Sequence, residues 1–378
     1  MERGSHPRRP PRRRAALTTT GARSPTGAAS PATRGRAVGS GAVRPATIAR
    51  VLRSGLEESV HVGHVAVCDA DGRLVAWAGD PRRIVFARST MKPLQAAVSL
   101  AAAHEDLPDH ELAVVCGSHN GEPIHVRGVR AVLARAGLGP SALRCPPGWP
   151  LDRETMARAF RPRRELHTCS GKHAGMLLAC VRAGYDLASY LQAGHPLQRR
   201  VLRAVRAAAA PDAVVVGVDG CGVPVHGMPL TSLATLYARL ARPERLGALA
   251  PGVARAVAAM RARPYLVAGR GRVDTAVMET VPGVVVKGGA EGLVCAALLE
   301  PGLGVAVKVE DGGERAAGPA LLRVLAQLGW VDPAADPRLA PLARRPVRGG
   351  ERVVGEITSD LALRRAGGGR GRRPRNIA

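Results

Sequence analysis

VHVGHVAVCDADGRLVAWAGD, Val60 to Asp80, alternates apolar with small or polar residues on both sides of an Asp71-Gly72 pair. A period of two around such a turn reads as a β-hairpin. Shortly afterwards FARSTMKPLQAAVSLAAA, Phe86 to Ala103, abandons that alternation. A helix is expected to begin near Ser89, because Pro93 is tolerated in a first turn and an Ala and Leu run follows it. Hairpin first and helix second, without a steady strand and helix alternation, predicts an α+β fold: an antiparallel sheet with helices packed on it.

The rest of the chain extends the pattern. ELAVVCGSHNGE (Glu111–Glu122) reads as a buried strand ending in a polar turn, and HVRGVRAVLARAG (His125–Gly137) as an amphipathic helix. Helices are expected in HTCSGKHAGMLLACVRAG, PLQRRVLRAVRAAA, TSLATLYARLA, GVARAVAAMRARP and GPALLRVLAQLGW. AVVVGVDGCGVPVHGMPL reads as a strand and a Gly-rich turn, GVVVKGGAEGLVCAALLEPGLGVAVKVEDG as returning strands, and RVVGEI as a last strand. No repeat of 20 to 50 residues is visible, and neither phosphate-binding glycine signature, GxGxxG after a strand or GxxxxGK[ST], occurs.

The net charge of +25 lies mostly at the ends. Residues 1–45 hold ten Arg against one Glu, and residues 364–378 hold six Arg and no acid, together 15 of the 25 charges. These two stretches read as disordered basic tails around a catalytic domain at 46–363. A basic nucleic-acid-binding module is the non-enzymatic alternative, but aromatic residues are only 2% of the chain and no RNA-binding signature accompanies the charge. Nucleic-acid contact is therefore expected only as nonspecific contact by the tails. No apolar run follows the N-terminal arginines as a signal peptide requires, and none approaches a membrane span. Seven scattered cysteines suit free thiols or metal ligands in a reducing cytoplasm better than a disulfide framework.

Five polar turns carry the chemistry. Arg88-Ser89-Thr90-Met91-Lys92 holds an S-x-x-K at a helix start, where Lys92 can reach the Ser89 hydroxyl and take its proton while free amides stabilise an oxyanion. The competing reading is a serine N-cap beside a solvated lysine. Cys116-Gly117-Ser118-His119-Asn120-Gly121-Glu122 is either an active-site loop or a hydrogen-bonded turn. Cys169 and Cys221, on two further turns, could hold a soft ion such as zinc, completed by His119, Lys172 or His173 and water, or be inert buried thiols. Lys287, ahead of a glycine turn, could be a second base, an anion site or half of a surface ion pair.

In order, RSTMKPLQ, CGSHNGE, HTCSGKHAGML, VDGCGVPVHGMPL and KGGAEG resemble the motif set of the Rhizobium-type, thermolabile L-asparaginases, from about Val60 to Ile357. The resemblance implies a serine β-lactamase/glutaminase-like fold, a homodimer and a zinc ion near the catalytic centre. It implies Ser89 as nucleophile with Lys92 as its base, Ser118 coupled to Lys287, and zinc on Cys169, Lys172 and Cys221 supported by Asp219. Arg88, His119, Asn120 and Asp219 complete the expected contacts to L-asparagine. A β-lactam or peptide hydrolase of the same fold is the enzymatic alternative, disfavoured because the S-D-N and K-T-G companions of those enzymes are absent.

Overall fold

A computed structural model describes residues 43–211 and 213–366. In chain order the strands are β1 (Ala46–Arg53), β2 (Leu56–Asp69), β3 (Leu74–Ala78), β4 (Ile84–Phe86), β5 (Val215–Val218), β6 (Pro224–Pro229), β7 (Val284–Gly289), β8 (Leu293–Leu298), β9 (Leu303–Val309), β10 (Arg345–Gly349), β11 (Arg352–Thr358) and β12 (Arg364–Arg365). The main sheet runs β10-β11-β1-β2-β9-β8-β7, with β3 also on β2 and β12 on β3, and its pairings are antiparallel. A small second sheet orders β4-β6-β5. This is the α+β arrangement that the hairpin beside a helix predicts. The 60–80 hairpin closes with Gly72 donating to Asp69.

Between the strands lie helices α1 (Lys92–Ala103), α2 (Asp109–Cys116), α3 (Pro123–Arg135), α4 (Arg153–Ala157), α5 (Ser170–Arg182), α6 (Pro196–Ala209), α7 (Leu230–Leu240), α8 (Ala250–Ala262), α9 (Pro264–Val267) and α10 (Val273–Thr280), and after them α11 (Glu314–Gln327) and α12 (Ala340–Ala343). α7 lies on β2, β8 and β9, and α11 on β1, β8, β9 and β11. With helices so placed, β8 is buried along its whole length, which explains its unbroken apolar run LVCAAL. α7 and β9 approach so closely that a Cβ on Gly304 would stand 1.9 Å from the Ala234 carbonyl oxygen. In the helical layer α1 packs against α5, α6 and α8.

Two expectations change. ELAVVC is not a strand: Asp109–Cys116 is α2, lodged among α1, α3, α5 and α8. A short apolar run is ambiguous by periodicity alone, and here Pro108 with the acidic Asp109 and Glu111 in the first turn is the helix-start signal that decides it. The basic segment 364–378 also begins inside the sheet, since Arg364 and Arg365 pair with Trp77 and Ala76. Residues 1–42 and 367–378, most of the expected tails, lie outside the described residues. Among the described residues no helix is long and apolar enough to cross a membrane.

Candidate active site

The entry to α1 is a single 3-10 turn, Arg88–Met91, anchored by Ala87 donating to the His226 carbonyl of β6. Arg88 carries φ +46°, a left-handed backbone uncommon for a residue with a Cβ. Such conformations persist only where surrounding contacts hold them. Here Arg88 Nε donates to Asp219 Oδ1 at 2.7 Å, tying the turn to the β5–β6 loop. No side chain caps either the 3-10 turn or α1, so Ser89 is not an N-cap. Ser89 itself is half-buried.

Lys92 is fully buried, and its ammonium group has three hydrogen-bond partners. Nζ donates to Ser118 Oγ at 2.9 Å, to the Gly117 carbonyl at 2.5 Å and to the Thr168 carbonyl at 3.3 Å. The serine bonded to Lys92 is thus Ser118, not Ser89. Burial lowers the Lys92 pKa, and the neighbouring Lys172 charge adds to that. Ser118 is held in place by its own N–H, which donates to the Val267 carbonyl at 2.7 Å.

Lys287, expected to couple with Ser118, projects from β7 with no exposed surface. Nζ donates to the Gly288 carbonyl at 2.6 Å and lies 3.7 Å from Asp274 Oδ1. Burial brings its pKa down to about 7, opposed by Asp274 and assisted by Lys92. Asp274, from α10, has no motif around it in GRVDTAVM that marks it as functional; only the packing of α10 on β7 joins it to Lys287. Burial alone would raise the Asp274 carboxyl, yet Lys287, Arg272 and the Gly288 N–H outweigh it and hold the group below the usual carboxylate range.

The GSHNGE loop divides its residues. His119 is fully buried and accepts from the Gly121 N–H through Nδ1 at 3.1 Å, which leaves Nε2–H to donate to Ser170 Oγ at 3.0 Å. Burial drives its pKa well below the ordinary imidazole value. Both ring nitrogens have partners inside the protein. Asn120 Nδ2 donates to the Arg270 carbonyl at 3.0 Å, and its side chain lines a cleft of about 630 Å³. Asp274, Gly288 and Arg272 line the same cleft, which places it beside Lys287.

Cys169, Lys172 and Cys221 do converge. Lys172 Nζ stands 3.1 Å from Cys221 Sγ, and Cys221 Sγ is 3.6 Å from Asp219 Oδ2. The hydrogen bond from Cys221, with the charges of Lys92 and Lys172, holds the Cys169 thiol well below its ordinary range; Cys221 keeps the proton and is raised. Burial would lower Lys172, but the two sulfurs and Asp219 raise it instead. Two thiols and an amine are a donor set that fits a soft divalent ion such as zinc, provided the amine gives up its proton. Among the described residues, no three His, Cys, Asp or Glu side chains gather in this way, so lysine would have to be the third donor. His173 turns elsewhere, its Nδ1 meeting the Tyr190 hydroxyl at 2.7 Å.

Among the solved structures to which the chain has low similarity are a β-lactamase and a glutaminase. A β-lactamase from Mycobacterium bovis aligns with TM-score 0.37 and 17% identity over 71% of this chain and 95% of that one. A Bacillus subtilis glutaminase in covalent complex with 5-oxo-L-norleucine aligns with TM-score 0.34 and 14% identity over 71% and 88%. Comparison with curated proteins gives no match. The sequence model of one family, L-asparaginase II, matches residues 49–359, from β1 to the end of β11 and across all five polar turns. The chain therefore belongs to the L-asparaginase II family, a family of amidohydrolases.

Proposed function

We propose that the protein is an L-asparaginase, hydrolysing the side-chain amide of asparagine to aspartate and ammonia through a serine acyl-enzyme. The observation that carries the reading is Lys92: a buried lysine of lowered pKa, bonded to Ser118 and one turn beyond the half-buried Ser89. Ser89 Oγ attacks the amide carbon, and its proton passes to neutral Lys92. Collapse of the tetrahedral species breaks the C–N bond, the proton leaves with ammonia, and a β-aspartyl ester remains on Ser89. Water attacks the ester carbon and gives a proton to the same lysines, and the bond from that carbon to Ser89 Oγ breaks as the proton returns to Ser89, releasing aspartate. Ser118 orients Lys92, and Lys287 lies behind as a second base.

The bond from Lys92 to Ser118 favours one competing assignment, in which Ser118 is the nucleophile. Cys169, Lys172 and Cys221 would hold zinc, which when bound supplies positive charge for orienting the substrate's polar groups. A homodimer belongs to the same reading, and light scattering on the purified chain measures it.

The test is ammonia release from asparagine and glutamine, with hydrolysis of a chromogenic β-lactam alongside, on wild type, Ser89→Ala and Ser118→Ala. Turnover of asparagine that Ser89→Ala abolishes supports the proposal. A protein active on the β-lactam alone overturns it, and an acyl group mapped by mass spectrometry to Ser118 moves the nucleophile.

A further inference from the structure

Several arginines line the cleft beside Lys287. Arg270 is neutralised by Glu154 and lies 3.9 Å from Asp152. Arg315 turns to His61 and Ser59, Arg345 to the Arg315 carbonyl, and Arg153 is exposed on the short helix α4. Arg272 differs from all of these in its position. It is half-buried at the start of α10, and Nη1 comes within 3.5 Å of Asn120 Oδ1 on the GSHNGE loop. It lines the cleft together with Asp274 and Gly288, the two residues that Lys287 Nζ meets, and so lies at the end of the cleft nearest that lysine. Among the described residues no carboxylate lies within 4.0 Å of its guanidinium, although Asp274 stands two positions along the chain. Asp274 is instead committed to Lys287 and the Gly288 N–H.

A guanidinium with no carboxylate within ion-pair distance, lining a cleft and steadied by an amide oxygen, is matched to a planar anion with two oxygens. Asparagine carries one such group, the α-carboxylate, one carbon away from the arm that bears the amide. We infer that Arg272 is the residue that binds the substrate's α-carboxylate and so selects free amino-acid amides over amides without that group. The inference rests on the asparaginase reading and deepens it. Asn120 acts as a positioning residue, its Oδ1 accepting from one side of the guanidinium and leaving the rest of the fork to the ligand.

The experiment compares L-asparagine with 3-aminopropanamide, the same amide lacking the α-carboxylate, on wild type, Arg272→Gln and Arg272→Lys. A charge-assisted pair of this kind is worth roughly a 30-fold preference. Arg272→Gln is expected to raise KM for asparagine about that much with little change in kcat, and to collapse the ratio of kcat/KM between the two amides. Arg272→Lys, keeping the charge but not the fork, should restore part of the ratio. A ratio unchanged in Arg272→Gln overturns the inference, as does an equal loss on both amides. Calorimetric binding of L-aspartate separates this outcome from failure of the asparaginase reading. A wild type that releases no ammonia yet binds L-aspartate, with binding lost in Arg272→Gln, refutes the reaction and keeps the carboxylate site; no binding by wild type refutes both.

Discussion

At the scale of single residues, the lysines decide what chemistry is open. Lysine in water has a pKa near 10.4 and is a poor base at neutral pH. Burial of Lys92 and Lys287 works against that obstacle, lowering both pKa values because each ammonium loses hydration that its few partners only partly replace. Ser89→Ala and Lys92→Ala are each expected to lower kcat by at least about 1,000-fold, with the double variant scarcely worse, since residues that act as one unit are not additive. A folded single variant retaining a tenth of wild-type kcat sinks the assignment. Lys287 has its pKa near 7. As a base it works only when neutral, so kcat/KM should rise with pH through about 7 and level off above it. Asp274 raises that pKa. Asp274→Asn should therefore move the acid limb to lower pH, and a limb that stays in place would remove Lys287 from the reaction.

At the scale of elements, the site depends on close approaches between segments far apart in sequence. β7 brings Lys287, α10 brings Asp274, the turn before α1 brings Arg88 and Ser89, and the loop after α2 brings Ser118. α7 on β9 is part of the packing beneath them, and Gly304 is where it has least tolerance. Gly304→Ala drives a methyl group into helix backbone, which cannot swing aside as a side chain can. Overpacking commonly costs about 1–3 kcal/mol, and this case should exceed about 3; denaturant melts of the variant measure it, and a loss under 1 kcal/mol would mean that α7 shifts freely. The β5–β6 loop and the start of α5 bring Cys221 to Cys169 and Lys172. Elemental analysis is expected to find one zinc per chain in wild type and none in Cys169→Ser or Cys221→Ser. Zinc should also be lost as pH falls, because thiols and amine must be deprotonated to bind. Metal-free wild type with full activity would make these cysteines structural.

At the scale of the whole molecule, charge and function separate. Fifteen of the 25 net charges sit in the two terminal stretches, while the family match begins at residue 49 and ends at 359. Deleting residues 1–42 should leave kcat and KM for asparagine within about twofold, since the arginine-rich segment precedes β1 and has no apolar period with which to dock. Loss of the folded state on deletion would show that the segment is part of the structure. DNA binding that is steeply salt-dependent and survives removal of both basic stretches would favour a nucleic-acid role instead.

The sequence by itself determined the class of fold, most of the elements and the five turns that carry polar chemistry. Those signals are local: period-two alternation around Asp71-Gly72, proline at a helix start, and small clusters of serine, lysine, cysteine and glycine. The family resemblance also grouped Cys169, Lys172 and Cys221 as one ligand set, and Lys172 Nζ lies 3.1 Å from Cys221 Sγ. The tertiary structure alone decided which partner each side chain meets. S-x-x-K spacing lets Lys92 reach Ser89, but spacing does not compare that contact with the two carbonyls and the Ser118 hydroxyl that surround the ammonium after α2 and α5 have packed. The same holds for His119, whose two nitrogens are satisfied by Gly121 and Ser170, and for Asp274, which becomes part of the site only when α10 lies along β7. For ELAVVC, burial on every side erased the periodicity that tells helix from strand. A buried polar group takes whichever partners tertiary packing brings within hydrogen-bond distance, and that distance is not a property of sequence separation.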